Sequence, residues 1–417
     1  MREARDPVRA LLSNRNYRRL WIGQTLSALG DYAMFLVLAI WAKDLTGSNA
    51  AAGLTFLPFT LPTLFGPLLG VYVDRFPRRR VMIWTDVAAA VVMLMLLGVH
   101  GRDQLWLIYL VSFLYGVCVV IYQAARSGLL VGMLPETQLG DANGLLQSSQ
   151  QAMRLVAPLA GAGLYTLVGG AAVALVDAGT FLVSAGFLLT VHARDLDRRG
   201  SGAFWPELRA GLRHIVRTAD LRRLTIGTAI VMLVVGMSEV FIFAVIDEGL
   251  HRPAAFLGII SSVEGVGSIV AGLIVGLTMR RIGELRTVAI ASAAAGIGLA
   301  LYATATIAAI FVASVMLGVA ITFFNVGYVT LMQRSTALEM QGRVMSAAEA
   351  AITLPYLISF LVGAAVVSIV DFHLIYIVEG ICLVLMGAYF AWRTEPPATV
   401  RAEEPAADYA ADSIDGS

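Results

Sequence analysis

The chain has 417 residues, 58% of them hydrophobic and only 14% charged, with 30 basic against 29 acidic residues. Soluble domains carry about 25% charged residues, so a water-soluble globule of this length is excluded. The net charge of +1 gives no electrostatic footprint for nucleic acid. Two cysteines, Cys118 and Cys382, and five histidines stand in no metal-ligand spacing, so no metal or cofactor is expected.

Residues 1–19 are arginine-rich and lack a cleavage pattern, so the first apolar run is expected to stay as an anchor. About 20 apolar residues span a bilayer as helix. Twelve such runs are predicted, at 20–42, 51–73, 81–98, 105–125, 144–168, 171–192, 224–246, 254–278, 287–305, 307–331, 345–369 and 371–392. Small residues four apart, such as Gly272 and Gly276, suit close helix approach. The fold class expected is an all-α membrane protein.

In span one, Gln24, Ser27 and Asp31 follow three- and four-residue spacing and share a face. Asp31 lies roughly 16 Å into the span at 1.5 Å per residue, near the midplane. An ionisable group there costs about 2.5–3.5 kcal/mol on insertion scales. Asp31 therefore reads as a proton- or cation-binding carboxylate facing a cavity, or else as a structural hydrogen-bonding group. Span two closes on Gly70, followed by a short basic turn with Asp74, Arg75, Pro77, Arg78 and Arg79. Asp86 lies towards the inner end of span three and reads as structural. Tyr115 and Tyr122, on the face leading to Arg126, read first as packing and second as ligand contacts.

Span five aligns Gln147, Gln151, Arg154, Pro158 and Gly161 on one face. Arg154 is the sole basic residue deep in a span, so a carboxylate partner is expected, with Asp31 the first choice. The pair reads equally as a proton switch or a static ion pair. Pro158 would kink the helix. Glu239 in span seven and Glu264 in span eight read as cavity residues. Asp177, Glu379 and Glu349 (with Thr353 and Tyr356) read as structural, because water and headgroups are near.

Lysine and arginine placement sets orientation. With the N-terminus inside, the inner segments hold 26 basic residues and the outer loops three, Lys43, Arg102 and Arg252. Both termini are expected in the cytoplasm of a cell-membrane protein. Residues 193–223 form a long inner connection. Phe204, Leu208, Leu212 and Ile215 alternate there with Arg209, Arg213 and Arg217, as in an amphipathic surface helix. The acidic, proline-containing tail at 394–417 is too poor in apolar residues to pack. The turn at Gly70 is echoed after span eight by Gly276, Arg280, Arg281 and Gly283. This repeat predicts two six-helix halves, 20–192 and 224–393, joined by the 193–223 linker.

These residues support a family resemblance. Gly70-x-x-x-Asp74-Arg75-x-Pro77-Arg78-Arg79 resembles the signature loop of the major facilitator superfamily, G-x-x-x-D-R-x-G-R-R/K, with proline in place of one glycine. Ala157, Pro158, Gly161 and Ala162 resemble that family's antiporter motif, G-P-x-x-G-G, with alanine replacing two glycines. Gln333-Arg334 through Gly342-Arg343-Val344 is similar to a stretch of the drug–proton antiporter branch that includes macrolide and siderophore exporters. The resemblance covers residues 14–393. It implies twelve helices in two pseudo-symmetric halves and transport by alternating access. It also implies that the Asp74 loop latches the halves, its acid meeting the N-terminus of span eleven.

The function expected is proton-coupled efflux of lipophilic, cationic small molecules by a monomer in the lipid bilayer. Acidic groups outnumber basic ones in the spans, which motivates the cationic substrate. One alternative is an anionic substrate such as a siderophore, held by Arg154 and Arg126. Another is a non-transporting sensor or scaffold, which the short linker and tail disfavour. No GxxxxGK[ST] loop occurs, so neither an ATP-driven pump nor an enzyme is expected.

Overall fold

The computed structural model describes residues 11–73, 75–192 and 204–392. Asp74, the 193–203 part of the linker and the 394–417 tail lie outside the described residues. All regular structure within them is helical. The chain runs through α1 (Arg15–Thr46), α2 (Asn49–Gly53), α3 (Phe56–Thr60), α4 (Gly66–Val73), α5 (Arg78–Met95), α6 (Leu105–Met133), α7 (Glu136–Val168) and α8 (Gly170–Leu189). It continues through α9 (Phe204–Arg217), α10 (Ala219–Ala244), α11 (Leu257–Ile282), α12 (Glu284–Tyr302), α13 (Ile307–Arg334), α14 (Leu338–Val366) and α15 (Phe372–Ala391).

Ten of the described helices are long and apolar enough to cross a membrane, which makes this a multi-pass membrane protein. The two other expected spans have local reasons to differ. The stretch 51–73 carries Pro58, Pro62 and Pro67. Each removes a backbone donor and crowds the preceding turn. The stretch is accordingly split into α2, α3, a 3-10 turn at Leu61–Phe65, and α4. The run at 144–168 lies on α7, 33 residues long, whose apolar content is diluted by Gln147, Gln150, Gln151 and Arg154.

Helix ends follow local chemistry. The Asn14 side chain accepts from the Asn16 and Tyr17 amides at 3.0 and 3.2 Å, capping α1. Gly47, at φ 69°, stops it. Gly169 and Gly283, at φ 82° and 84°, make the sharp reversals into α8 and α12.

Helix α1 packs on α7 and α8, and α5 on α6 and α8. Likewise α10 packs on α14 and α15, and α12 on α13 and α15. The outside of the bundle is apolar: Leu167 and Leu273 are each 82% exposed and Trp84 70%. Surfaces of this kind belong against lipid tails, not water.

Two sequence expectations are revised by packing. A side chain at Gly272 or Gly276 would meet nothing within 4 Å among the described residues, so this pair makes no close helix contact there. The tight approaches of α11 occur at Gly258, Gly265 and Gly267 instead. The amphipathic helix α9 turns Leu208, Gly211 and Ile215 onto the protein, with Gly211 against the Arg343 carbonyl and Ala347 of α14. Arg209, Arg213 and Arg217 stay exposed. The side chain of Phe204 lies outside the described residues.

Candidate functional site

The mid-membrane polar residues sort into two groups, one on helices α1–α8 and one on α10–α15. In the first, Tyr115 of α6 donates its hydroxyl to Asp31 Oδ1 at 2.6 Å. Asp31 and Asp86 line a cavity of about 60 Å³ together with Gln24, Tyr115, Tyr122 and Arg126. Arg126 reaches Gln24 Oε1 at a long 3.5 Å. Asp177 of α8 lies directly against Gly30, where a side chain on α1 would collide with its carboxylate. It accepts from Thr180 at 3.3 Å, which fits the structural reading.

In the second group, Tyr356 of α14 donates to Glu239 Oε1 at 2.7 Å. One residue earlier, Ser238 donates to Glu379 Oε2 at 2.7 Å, and Tyr376 donates to the Ser238 carbonyl at 3.1 Å. Glu379 is buried and ties α15 to α10. Sequence spacing had grouped Tyr356 with Glu349; Tyr356 turns to Glu239 instead, and Glu349 is exposed.

The expected Asp31–Arg154 pair does not form. Asp31 is held by Tyr115, and Arg154 lies within electrostatic reach of Glu239 and Glu264 on α10 and α11. The reason is geometric. Arg154 sits on the stretch of α7 that packs between α1 and α11, where the neighbouring Leu155 carbonyl accepts from Ser262 of α11 at 2.9 Å.

Pro158, Gly161 and Ala162 explain themselves sterically. A Cβ on Gly161 would fall 2.8 Å from the Ala33 Cβ and 2.9 Å from its Cα. On the other side, a Cβ on Gly258 would stand 2.7 Å from Ala162 and 2.9 Å from the Pro158 carbonyl. Small residues thus let α7 wedge between α1 and α11.

In the basic turn, Asp74 lies outside the described residues. Arg79 donates through Nε to the Leu188 carbonyl at 2.8 Å, capping the C-terminal end of α8. The Arg78 side chain crosses Gly128, where any Cβ would collide with it. Arg75 covers the Tyr72 ring at 5.1 Å. Gly70 has open space around it, so packing does not require a glycine there.

At the end of the bundle that the charge split assigns to the outside, helix α10 finishes in a π-turn, Val245–Gly249. Asp247 pairs there with Lys43 at 2.6 Å, and Glu248 accepts from Asn49 at 3.1 Å. Both bonds tie α10 to the α1–α2 corner. Lys43 is 11% and Asp247 51% exposed, and a pair this open to water contributes about 0–1 kcal/mol. Lys43→Asp is expected to slow transport several-fold, and adding Asp247→Lys to restore it. Failure of the double variant to recover in vesicle flux assays would assign the loss to something other than this pair.

The Major Facilitator Superfamily family model matches residues 20–244 and again 224–413. Macrolide efflux protein A of Streptococcus pyogenes is 24% identical over 340 residues, covering 78% of this chain and 83% of that protein. The MFS-type transporter YfiS of Bacillus subtilis is 23% identical over 382 residues, covering 88% and 90%. Among solved structures, a bacterial homologue of the iron transporter ferroportin in its inward-facing state aligns with TM-score 0.73 at 18% identity, covering 90% of this chain and 98% of that one. The nucleoside transporter NupG aligns with TM-score 0.72 at 14% identity and the same coverage. These two share the fold. With its mid-membrane carboxylates, its wedge of small residues and a family match running nearly end to end, the chain belongs to the major facilitator superfamily of membrane transporters.

Proposed function

We infer that the chain is a monomeric, proton-coupled exporter of lipophilic, cationic small molecules, working by alternating access in the cell membrane with both termini cytoplasmic. The observation that carries this reading is Asp31, a carboxylate deep in α1 that faces a cavity and accepts from Tyr115. A second carboxylate, Glu239, is held by Tyr356 in the same manner. One such group on each side of the chain's midpoint suits a binding region shared between two moving bodies.

Twelve spans in two halves, 20–192 and 224–393 with the linker between, are supported by the repeated packing. The pairing of α1 with α7 and α8 recurs as α10 with α14 and α15. An interior proline recurs too, at Pro158 of α7 and Pro355 of α14. The double family match agrees. The likeness to macrolide efflux protein A favours export. The latch role of the Asp74 loop is part of the same proposal, as are substrate contacts by Glu264, Arg126 and Arg154. An anionic substrate draws support from Arg154 and from Arg126 on the cavity wall.

The test uses purified protein in proteoliposomes loaded with a fluorescent cationic dye. An imposed pH gradient is expected to accelerate dye movement several-fold, and a protonophore to abolish the acceleration. Dye movement indifferent to the gradient would sink the coupling. Inhibition by anions but not by cations would favour the anionic substrate.

A further inference from the structure

The cavity beside Asp31 contains more chemistry than one carboxylate requires. Asp86 of α5 also lines it, although its position near a span end had suggested a structural residue. Asp86 is only 2% exposed, and its Oδ2 makes no well-formed hydrogen bond among the described residues, the Ser184 hydroxyl beside it being the donor within reach. The hydroxyl of Tyr122 on the same wall is likewise buried with no well-formed bond among the described residues, and it too lies beside Ser184. A buried carboxylate oxygen without a well-formed hydrogen bond is costly, and a donor or cation that enters the cavity would relieve that cost.

The walls narrow the choice. With both acids ionised and Arg126 protonated, the lining is one positive charge short of neutral. Among the described residues no group of three His, Cys, Asp or Glu side chains stands ready for a metal ion. The rest of the lining includes the rings of Tyr115, Tyr122 and Phe181, and aromatic faces attract organic cations. The cavity, about 60 Å³, holds a few waters or one small head group and not a whole drug-sized molecule.

We propose that this cavity is the seat for a single alkylammonium head group, clamped between Asp31 and Asp86 and enclosed by Tyr115, Tyr122 and Phe181. Asp86 is then a second substrate-binding carboxylate, and the lipophilic body of the substrate lies outside the cavity. The proposal rests on the export reading only for the direction of movement; the seat itself is a matter of binding.

The test is binding to the purified full chain in lipid nanodiscs, followed by calorimetry. The probes are benzyldimethylamine, benzyltriethylammonium, benzyl alcohol and benzoate. Benzyldimethylamine is expected to bind, the bulkier benzyltriethylammonium more weakly, and the neutral and anionic probes not at all. Asp86→Asn and Asp31→Asn are each expected to weaken benzyldimethylamine binding at least about tenfold, as for removal of one partner of a buried charge pair.

A second readout needs no substitution in the seat. Cys118 lines the same cavity, so in a Cys382→Ser background benzyldimethylamine is expected to slow its modification by methyl methanethiosulfonate. Unchanged affinity in Asp86→Asn, or no protection of Cys118, overturns the seat even where pH-driven dye efflux persists. Protection and Asp86-dependent binding without pH-driven efflux would support the seat and overturn the coupling.

Discussion

Asp31→Asn is expected to reduce pH-driven dye efflux at least tenfold, equivalent to about 1.4 kcal/mol of barrier. Dye exchange down its own concentration gradient is expected to continue at a measurable rate. Asparagine is isosteric and keeps an oxygen that can accept from Tyr115, which now stands 2.6 Å from Asp31. What it loses is the negative charge, and with it both the capacity to take up and release a proton and part of the hold on a cationic substrate. Tyr115→Phe makes the opposite change, leaving the carboxylate and removing its donor. An orphaned buried acceptor costs about 1–3 kcal/mol, so that variant is expected to melt earlier while its efflux still responds to the gradient. Equal loss of driven and undriven movement in Asp31→Asn, together with a lower melting temperature, would assign Asp31 to architecture.

The second large effect is steric. Gly161→Val is expected to destabilise the protein by about 1–3 kcal/mol, the usual cost of forcing atoms into a packed contact, and to abolish flux. The added carbons would run into the Ala33 backbone, whose Cα lies 2.9 Å and carbonyl oxygen 3.0 Å from the ideal Cβ position. Gly163 on the same helix provides the control. A Cβ there meets nothing within 4 Å, so Gly163→Val is expected to leave both melting temperature and flux near wild type. If the two substitutions behave alike in purified protein, the wedge is not what the glycine serves.

The bulk of the fold was legible because hydrophobicity over about 20 residues needs no partner to be recognised. Asp31 and Glu239 were legible for the converse reason, each being a costly exception in an apolar run. Their donors were not. Tyr115 and Tyr356 come from other helices, and which tyrosine meets which acid depends on rotations and crossing angles that spacing along one helix does not contain. The same gap offered Asp31 as the partner of Arg154, which lies within electrostatic reach of Glu239 and Glu264. It also singled out Gly272 and Gly276, which meet nothing, over Gly258 and Gly265, which touch α7. Asp86 was discounted by depth alone, a one-dimensional measure blind to the cavity its side chain faces. The broken second span was foreseeable from Pro58, Pro62 and Pro67, a local signal that average hydrophobicity conceals.

Two of the contacts between α1–α8 and α10–α15 are unlike in kind, and the medium acts on them differently. The wedge of α7 against α11 is close packing among Leu155, Pro158, Ala162, Gly258 and Gly265 with one neutral hydrogen bond from Ser262 to Leu155, and carries no charge for dissolved ions to screen. The Lys43–Asp247 bridge has an acid side chain 51% exposed, where ionic strength shortens the reach of charge to about 8 Å at physiological salt and 3 Å at 1 M. Rising salinity therefore loosens one fastening and spares the other. The same protein in brine and in fresh water would hold its Lys43–Asp247 clasp at different tensions.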